Sequence, residues 1–464
     1  MVRRNPMTTL PEWLRHRAHL TPHRPALVAD DACFSFAELD AAVDARARAL
    51  QTRGVAAGDR VALLLPNGRA FVELVHAVPR LGARLVLLNT RLTRAELDFQ
   101  IQDAGVKLVV DQQLADQLAD PGPPLPTRSF DLDAPHTIIY TSGTTGRPKG
   151  CVLTFGNHWW SATGSVLNLG LAPEDRWLAV LPLFHVGGLS ILLRGVIYGI
   201  PVVVQPRFDP ASANAAIDDG ATIVSVVATM LQRMLEARGD RPYPPHFRCA
   251  LLGGGPAPRP LLELAAAHGV PVVQTYGLTE TASQVVTLAP EDALRKLGSA
   301  GKPLMPTELR IDDPDPDGAG EILVRGPNVT PGYLNQPANT HDGWLRTGDL
   351  GRLDDEGYLY VLDRRNDLVV SGGENVYPAE VEAALLAHPN VREAGVVGVA
   401  DPQWGQRVVA HVVAERPVTP DELSAFLRDR LAGHKLPREY RFAEALPRNA
   451  AGKLLRRELR EGGA

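Results

Sequence analysis

The chain has 464 residues, of which 45% are hydrophobic, and a formal net charge of −5. This length suits two or three domains with a large core, and the mildly acidic balance is not that of a nucleic-acid-binding protein. Cys33, Cys151 and Cys249 are far apart and odd in number, which argues against a disulfide framework or a zinc site. Neither a signal peptide nor an apolar run of roughly 18 residues is present. We therefore expect a cytoplasmic protein without membrane insertion.

A strand and a glycine-rich loop stand out first along the chain. The apolar run Thr137–Tyr140 predicts a strand, and residues 141–150 then combine glycines, hydroxyl side chains and Lys149. Such a loop offers backbone N–H groups, hydroxyls and a cation to one anionic ligand, for which a polyphosphate is the natural candidate. It differs from the usual P-loop, in which Gly-Lys precedes Ser or Thr. A plain glycine-rich surface loop is the structural alternative.

Strands and helices alternate between residues 176 and 277. Continuous apolar strands separated by helices indicate a buried parallel sheet, which binds its ligands beyond the carboxyl ends of the strands. Two motif segments, Gly253–Gly255 and Tyr276–Glu280, are expected in loops that follow such strands. The predicted strands are Trp177–Leu181, Pro201–Gln205, Thr222–Val227, Arg248–Leu252 and Val270–Gln274, and the predicted helices are Leu189–Tyr198, Met230–Arg238 and Pro260–His268.

In the rest of the chain the pattern of predicted secondary structure changes twice. Short strands and turns from Pro303 to Tyr360 predict a small β subdomain, and a compact α+β segment follows Asp367. In that last segment we predict strands at Ala394–Val399 and Arg407–Ala414 and a helix at Asp421–Leu431. The predicted fold is α/β. We expect residues 1–363 to form a large N-terminal domain of parallel sheets sandwiched by helices, with the β subdomain at 302–362, and residues 364–464 to form a small α+β domain.

Six motifs in order carry a resemblance to a known family. The segment Tyr140–Gly150 resembles the phosphate loop of adenylate-forming enzymes, which include acyl-CoA synthetases, luciferases and peptide-synthetase adenylation domains. The resemblance implies an enzyme that joins a carboxylate to the AMP part of ATP, releases pyrophosphate and passes the acyl group to a thiol, with ATP, Mg²⁺ and CoA as partners. The other matching segments are Leu181–Gly188, Gly253–Pro258, Tyr276–Glu280, Trp344–Leu350 and Leu446–Lys453.

The resemblance also implies roles for single residues. Tyr276 would stack on adenine, Thr279 would contact phosphate, Asp349 and Arg364 would hold the ribose, and Glu280 would bind Mg²⁺. Taken alone, Tyr276 could be a strand-end aromatic, Glu280 a carboxylate at a helix start, and Thr-Gly-Asp a β-turn. The full set of implied ATP- and AMP-binding residues is Thr141, Ser142, Gly143, Thr144, Thr145, Gly146, Lys149, Gly254, Gly255, Thr275, Tyr276, Gly277, Thr279, Asp349, Arg364 and Lys453.

Catalysis is assigned by the same resemblance to Lys453, His185, Thr279 and Glu280. Lys453 would bridge the substrate carboxylate and the α-phosphate, where a compact cation suits the charge that builds on phosphorus. A solvated lysine near the chain end is the alternative. The resemblance implies that His185, Arg194, Gly253 and Gly277 contact the acyl substrate and that Gly372 and Gly373 line the CoA tunnel. Asn366 would be the hinge on which the mobile domain of residues 364–464 moves. Cys151 is interpreted as a packing residue.

Within this family the chain is most similar to the 2-succinylbenzoate–CoA ligases of menaquinone synthesis. The likeness lies in Leu153–Leu171, Leu251–Pro258, Gly298–Pro303 and Leu362–Asn375. That substrate has a second carboxylate, and a buried anion needs a cation or several donors. Arg194 stands where these ligases carry a basic residue; the alternative is an ordinary helix arginine that extends its charge to water.

Other functions stay open at this stage. The first alternative is another aryl- or fatty-acyl-CoA ligase, and the second is a stand-alone adenylation enzyme or a luciferase-like oxygenase. A non-catalytic acyl- or nucleotide-binding protein is a further class, which a pyrophosphate-release assay would separate from an enzyme. The expected partners are small molecules rather than nucleic acids, and a homo-oligomer is left open.

Overall fold

The computed structural model describes residues 9–118, 125–141, 148–255, 257–364, 367–371, 374–401, 404–431, 433–448 and 454–461. Up to the glycine-rich loop its elements are β1 (Thr9–Pro11), α1 (Trp13–Leu20), β2 (Pro25–Ala29), β3 (Ala32–Ser35), α2 (Phe36–Thr52), β4 (Arg60–Leu63), α3 (Arg69–Arg80), β5 (Arg84–Leu87), α4 (Arg94–Asp103), β6 (Leu108–Val110), α5 (Gln112–Gln117), β7 (Ser129–Asp131) and β8 (Pro135–Thr141).

The alternating middle of the chain comprises β9 (Lys149–Thr154), α6 (Phe155–Leu169), β10 (Trp177–Ala179), α7 (Val186–Tyr198), β11 (Val202–Val204), α8 (Pro210–Asp218), β12 (Ile223–Val226), α9 (Ala228–Arg238), β13 (Cys249–Leu252), α10 (Arg259–Ala267), β14 (Val272–Leu278), β15 (Ser283–Thr287) and β16 (Lys302–Pro303). A single 3₁₀ turn, Thr279–Thr281, joins β14 to β15.

The remaining elements are β17 (Glu308–Asp312), β18 (Gly320–Arg325), β19 (Gly332–Tyr333), β20 (Thr340–His341), β21 (Trp344–Leu353), β22 (Leu359–Arg364), β23 (Val369–Ser371), β24 (Glu374–Val376), α11 (Pro378–Leu386), β25 (Val391–Asp401), β26 (Gly405–Ala414), α12 (Pro420–Arg428), β27 (Glu439–Phe442) and α13 (Arg456–Glu461).

Two large sheets form the centre of the molecule. The first has nine strands in the order β16-β15-β14-β13-β12-β10-β11-β2-β3. Its strands β2, β11, β10, β12, β13 and β14 are parallel, whereas β3, β15 and β16 are antiparallel to their neighbours. The parallel sheet predicted between residues 176 and 277 is therefore confirmed. The first of its predicted strands is shorter than expected and ends at Ala179.

The second sheet has six strands in the order β19-β9-β8-β5-β4-β6. Strands β8, β5, β4 and β6 are parallel, and β9 and β19 are antiparallel to their neighbours. Strands β8 and β9 precede and follow the glycine-rich segment and pair antiparallel, and β19 lies beyond β9 at the edge of the sheet.

Helices separate and cover the two sheets. Leu85 of the six-stranded sheet and Ala179 of the nine-stranded sheet belong to one buried cluster, which they share with Leu74 of α3 and Leu192 of α7. Helices α8, α9 and α10 pack on the other face of the nine-stranded sheet. Helix α4 covers the outer face of the six-stranded sheet. The resulting helix–sheet–helix–sheet–helix layering confirms the predicted α/β class, because each apolar strand face is buried under a helix layer.

The last part of the chain forms two further sheets. In the predicted β subdomain, β17-β18-β21-β20 form a sheet that β22 extends by pairing with β21. The C-terminal part contains β24-β23-β26-β25, with β27 beside β26, and has its own core around Val396, Val408 and Leu423. The predicted helix at 421–431 ends earlier, at Arg428. The domain division between residues 363 and 364 stays a prediction.

Candidate active site

The carboxyl ends of β13 and β14 carry the glycine and tyrosine motifs. Gly253–Gly255 follow β13, as expected. Tyr276 and Gly277 do not follow a strand, however; they lie inside β14, which continues to Leu278 because it pairs there with antiparallel β15. A β-carbon on Gly277 would lie 1.7 Å from the carbonyl oxygen of Ser283. Only glycine allows this close approach of two backbones at the end of the strand.

Thr275 is placed in the same strand, but its hydroxyl is already used. Thr275 Oγ1 donates to the carbonyl oxygen of Val286 at 2.9 Å and lies 2.9 Å from Thr287 Oγ1. Its hydroxyl therefore ties β14 to β15. Any contact of Thr275 with a nucleotide would fall to its backbone.

The predicted adenine and ribose contacts come together across two sheets. Tyr276 donates its hydroxyl hydrogen to Asp349 Oδ2 at 2.8 Å, and both side chains are buried. Asp349 belongs to β21 and stands opposite Arg364 of β22 in the register of the β subdomain. The Thr-Gly-Asp segment is thus part of a long strand, and its interpretation as a β-turn is wrong.

A set of hydrogen bonds fixes the backbone before Asp349. Thr347 Oγ1 accepts from the Asp349 N–H at 3.1 Å and donates to the Ile322 carbonyl at 2.7 Å. Glu321 accepts from the Gly348 N–H at 3.1 Å and pairs with Arg346. Sequence analysis missed Glu321, because nothing in its local pattern shows that it faces a residue on another strand.

Glu280, the predicted magnesium ligand, lies in the 3₁₀ turn after β14 and is held from the other sheet. The Thr330 N–H donates to the Glu280 carbonyl at 2.8 Å, and the Tyr333 hydroxyl donates to Glu280 Oε1 at 2.8 Å. Burial and the charge of Glu280 raise the pKa of Tyr333, so its phenol stays protonated and can only donate to the carboxylate. Thr279, in the same turn, is half-buried. Tyr333 was not predicted from the sequence.

The hairpin of β8 and β9 carries the phosphate-type loop. Lys149 is the first residue of β9 and pairs in register with Thr141, the last residue of β8; it was expected within the loop. Its Nζ lies 5.6 Å from the centre of the Tyr333 ring. Ser142, Gly143, Thr144, Thr145 and Gly146 lie outside the described residues. Cys151 is fully buried, and burial raises the pKa of its thiol, which agrees with a packing role.

His185 stands at the start of α7. Burial, together with the charge of Arg91, lowers the pKa of His185 to about 4, so its ring is neutral at pH 7. Its Nε2 is buried and has no hydrogen-bond partner among the described residues. Asn67, which was not predicted, holds the preceding loop: it donates to the Leu181 carbonyl and accepts from the Leu183 N–H, both at 2.9 Å.

Arg194 is a buried cation near the other end of α7, about 14 Å along the helix from His185. Its side chain is almost fully buried, and its guanidinium donates to Ser161 Oγ at 3.2 Å. Ser161 in turn donates to the carbonyl oxygen of Ala282, two residues after Glu280, at 2.7 Å. Burial lowers the pKa of Arg194. Among the ion pairs of the described residues, none involves Arg194, and its Nε has no partner there.

Four of the predicted site residues belong to the C-terminal part of the chain. Lys453, Asn366, Gly372 and Gly373 fall outside the described residues. Close to them in sequence, Asp367 pairs with Arg460 of α13 at 2.9 Å, and Arg456 of the same helix pairs with Glu382 at 2.8 Å.

The described residues form neither a cluster of metal ligands nor a membrane-spanning helix. Within the described ranges, no three His, Cys, Asp or Glu side chains converge as a metal site, so Glu280 would offer a single carboxylate. None of the helices in the described part of the chain combines the length and apolar composition that a membrane span requires.

Family models and known proteins match almost the whole chain. The model of the AMP-binding enzyme family matches residues 14–334, and that of the AMP-binding enzyme C-terminal domain matches residues 380–453. The 2-succinylbenzoate–CoA ligase of Geobacillus kaustophilus is 54% identical over 480 residues, with 98% of each chain covered. That of Bacillus mycoides is 49% identical over 476 residues, covering 98% of this chain and 99% of the relative.

Solved structures give the same result. The o-succinylbenzoate CoA synthetase of Bacillus subtilis in complex with its acyl-adenylate intermediate superposes with a TM-score of 0.92 at 46% identity, covering 98% of both chains. The same synthetase in complex with ATP and a magnesium ion superposes with a TM-score of 0.92 at 47% identity, covering 97% of this chain and 100% of the other. Since the family models match most of the chain and these relatives align along nearly all of it, the chain belongs to the AMP-binding enzyme family.

Proposed function

We propose that the chain is an AMP-forming acid–thiol ligase that converts 2-succinylbenzoate, ATP and CoA into 2-succinylbenzoyl-CoA, AMP and pyrophosphate, a step of menaquinone synthesis. The observation that carries this proposal is the 54% identity to a 2-succinylbenzoate–CoA ligase over 98% of both chains. In the first half-reaction the substrate carboxylate attacks the α-phosphorus and pyrophosphate leaves. In the second, the CoA thiol attacks the acyl carbonyl and AMP leaves.

The nucleotide would contact residues of three sheets. Tyr276 would face adenine, Asp349 would accept hydrogen bonds from the ribose hydroxyls, and Lys149 would face the phosphates. The Tyr276–Asp349 hydrogen bond of 2.8 Å supports this arrangement, because it fixes the carboxylate before the ribose arrives. The reaction requires positioning and charge stabilisation rather than a protein nucleophile, which is consistent with the buried Cys151 thiol.

Magnesium fits the residues present. Mg²⁺ usually binds through one or two carboxylates, several waters and the phosphates of its nucleotide, so the single carboxylate of Glu280 is an adequate protein ligand. When bound, the ion would neutralise charge on the departing pyrophosphate. Tyr333 and Thr330 hold Glu280 in place through the hydrogen bonds of 2.8 Å described above.

A buried arginine without an acidic partner is an expected feature of a site for a dicarboxylic acid. Leaving a charge buried and unpaired is costly, so its presence needs a reason. The guanidinium of Arg194 is connected through Ser161 to Ala282, immediately behind the Glu280 turn. Helical side chains point back toward the start of their helix, which brings this guanidinium closer to His185 than the positions along the helix suggest. We therefore assign the ring carboxylate of 2-succinylbenzoate to Arg194.

The test is an AMP-release assay with CoA and a panel of carboxylic acids. We expect 2-succinylbenzoate to be the best substrate. Arg194→Ala should raise the KM for 2-succinylbenzoate far more than that for a 4-aryl-4-oxobutanoate without the ring carboxylate, because losing the partner of a buried charge costs about 3–5 kcal/mol, roughly a hundredfold or more.

Two other outcomes are informative. If fatty acids or simple benzoates react fastest, the substrate assignment is wrong and another acyl-CoA ligase activity replaces it. If 2-succinylbenzoate is best but Arg194→Ala affects all acids equally, Arg194 is an ordinary structural arginine of α7.

A cytoplasmic location is part of the proposal, and the free state of Cys33, Cys151 and Cys249 supports it.

A further inference from the structure

Tyr333 connects the two sheets at the proposed nucleotide site. It belongs to β19 at the edge of the six-stranded sheet, where it pairs in register with Cys151 of β9. Its hydroxyl nevertheless reaches Glu280 Oε1, which extends from the end of the nine-stranded sheet, at 2.8 Å. Its ring also lies 5.6 Å from Lys149 Nζ. One side chain thus contacts both the proposed metal ligand and the lysine at the base of the phosphate-type loop.

The backbone around Tyr333 is firmly held, so the contact with Glu280 is not that of a mobile surface residue. The Tyr333 N–H donates to the Gln336 carbonyl at 2.8 Å, and the Leu334 N–H donates to the Gly150 carbonyl at 2.9 Å. Thr330, three residues earlier, bonds to the backbone of both sheets: its N–H to Glu280 and its hydroxyl to Val152. The strand therefore presents the phenol at a fixed place.

From this geometry we infer that Tyr333 is a positioning residue for magnesium: its hydroxyl holds Oε1 of Glu280 and so fixes the orientation of the carboxylate that would bind the ion, while its ring supports Lys149. The inference rests on the proposed function, which makes Glu280 a magnesium ligand. A carboxylate with one oxygen fixed loses less freedom when it binds a cation than one that can rotate. Partners of metal ligands typically change metal affinity by 10- to 100-fold when they are removed.

The test measures ATP binding to the full-length protein by calorimetry, with Mg²⁺ and with a chelator in its place. Tyr333→Phe keeps the ring and removes only the hydroxyl. We expect unchanged affinity for ATP in the chelator and a roughly 10- to 100-fold loss of the gain that Mg²⁺ provides. Tyr333→Leu removes the ring as well and should also weaken ATP binding in the chelator, because Lys149 loses its aromatic neighbour. Raising the Mg²⁺ concentration should rescue Tyr333→Phe.

Two further variants, Glu280→Gln and Tyr243→Phe, distinguish a wrong assignment of Glu280 from a wrong role of Tyr333. Tyr243 is a buried tyrosine between α9 and β13, packed in the cluster that contains α8 and α9, and its hydroxyl donates to Asn214 at 2.8 Å. Tyr243→Phe therefore controls for the loss of a buried phenol. If Glu280→Gln keeps the full Mg²⁺ effect, Glu280 is not the ligand and the proposed function of this residue fails. If Glu280→Gln loses the effect while Tyr333→Phe retains it, the role of Tyr333 alone is overturned. Equal losses with and without Mg²⁺ in Tyr333→Phe would also contradict it.

Discussion

At the residue scale, the side chain and backbone of Asp349 are held in place by neighbouring residues before any ligand binds. Its backbone N–H is bonded to Thr347, its carboxylate accepts from Tyr276, and the strand that carries it is locked by Glu321. A ribose would therefore meet a carboxylate whose orientation is already fixed.

Asp349→Ala should weaken ATP binding by about 1.5–3 kcal/mol, the usual contribution of a hydrogen bond to a charged group. The Tyr276 hydroxyl would lose its acceptor at the same time. Calorimetric titration with ATP measures the effect, and Asp349→Asn, which keeps the shape and one acceptor oxygen, should lose less. An affinity that stays at the wild-type value in Asp349→Ala would refute the ribose assignment.

The sequence predicted the residue types of this site better than their partners. Tyr276, Glu280 and Asp349 stand in recognisable motifs, whereas Tyr333 does not, and Ser161 lies in the segment Leu153–Leu171 without a predicted role. The partner of Glu280 is 53 residues away and on another sheet, and the contact exists only because β19 pairs with β9. No local pattern of hydrophobicity or charge encodes such a pairing.

At the element scale, the last helix is attached to the start of the C-terminal part. Arg456 and Arg460 of α13 pair with Glu382 and Asp367. In the sequence, Lys453 stands three residues before this helix. Its proposed role is to stabilise charge on the α-phosphorus during adenylation, and thioester formation breaks a different bond.

Lys453→Ala should therefore slow acyl-adenylate formation by roughly a hundredfold to a thousandfold, a typical loss for one group that stabilises transition-state charge. It should still convert a supplied acyl-adenylate and CoA to the thioester. Pyrophosphate release and thioester formation are assayed separately. Lys435→Ala, which removes a lysine paired with Glu380 in the same part of the chain, is the matched control. Equal loss in both half-reactions would contradict the assignment.

Element boundaries were less predictable than the elements themselves. The helix over Leu189–Tyr198 was predicted from its apolar run, and the structure starts it at Val186. Strand β14 extends through Tyr276–Leu278 because β15 returns beside it, and Lys149 opens a strand for the same reason. In both cases the segment has the composition of a loop, but it becomes part of a strand because an antiparallel strand pairs with it.

At the scale of the whole molecule, a buried histidine cluster makes stability depend on pH. Burial lowers the pKa of His76 and of His158 to about 3, with smaller contributions from Arg80 and Arg194, and it also lowers the pKa of His136. These pKa values are depressed in the folded state, so as the pH falls below about 6.5 these three histidines take up protons in the unfolded chain but not yet in the folded one. The free energy of unfolding is therefore lost on acidification from that point toward pH 3.

The slope of this loss is at most about 1.4 kcal/mol per pH unit for each histidine. His158→Gln, which can keep the 2.9 Å contact with Thr137, should lower the slope of the unfolding free energy by about that amount between roughly pH 4 and 6. Urea denaturation at several pH values measures it. Parallel curves for the variant and the wild type would show that His158 does not stay neutral in the folded protein.

The location of the site between sheets has a consequence for folding. Lys149 and Tyr333 belong to the six-stranded sheet, Tyr276 to the nine-stranded sheet and Asp349 to the β subdomain. No sheet alone contains all the proposed contacts for adenine, ribose and phosphate. Intermediates in which only one layer has formed should have little affinity for nucleotide, so ATP stabilises the completed assembly selectively. Nucleotide binding can thus serve as a reporter of when the layers of a newly made chain have come together.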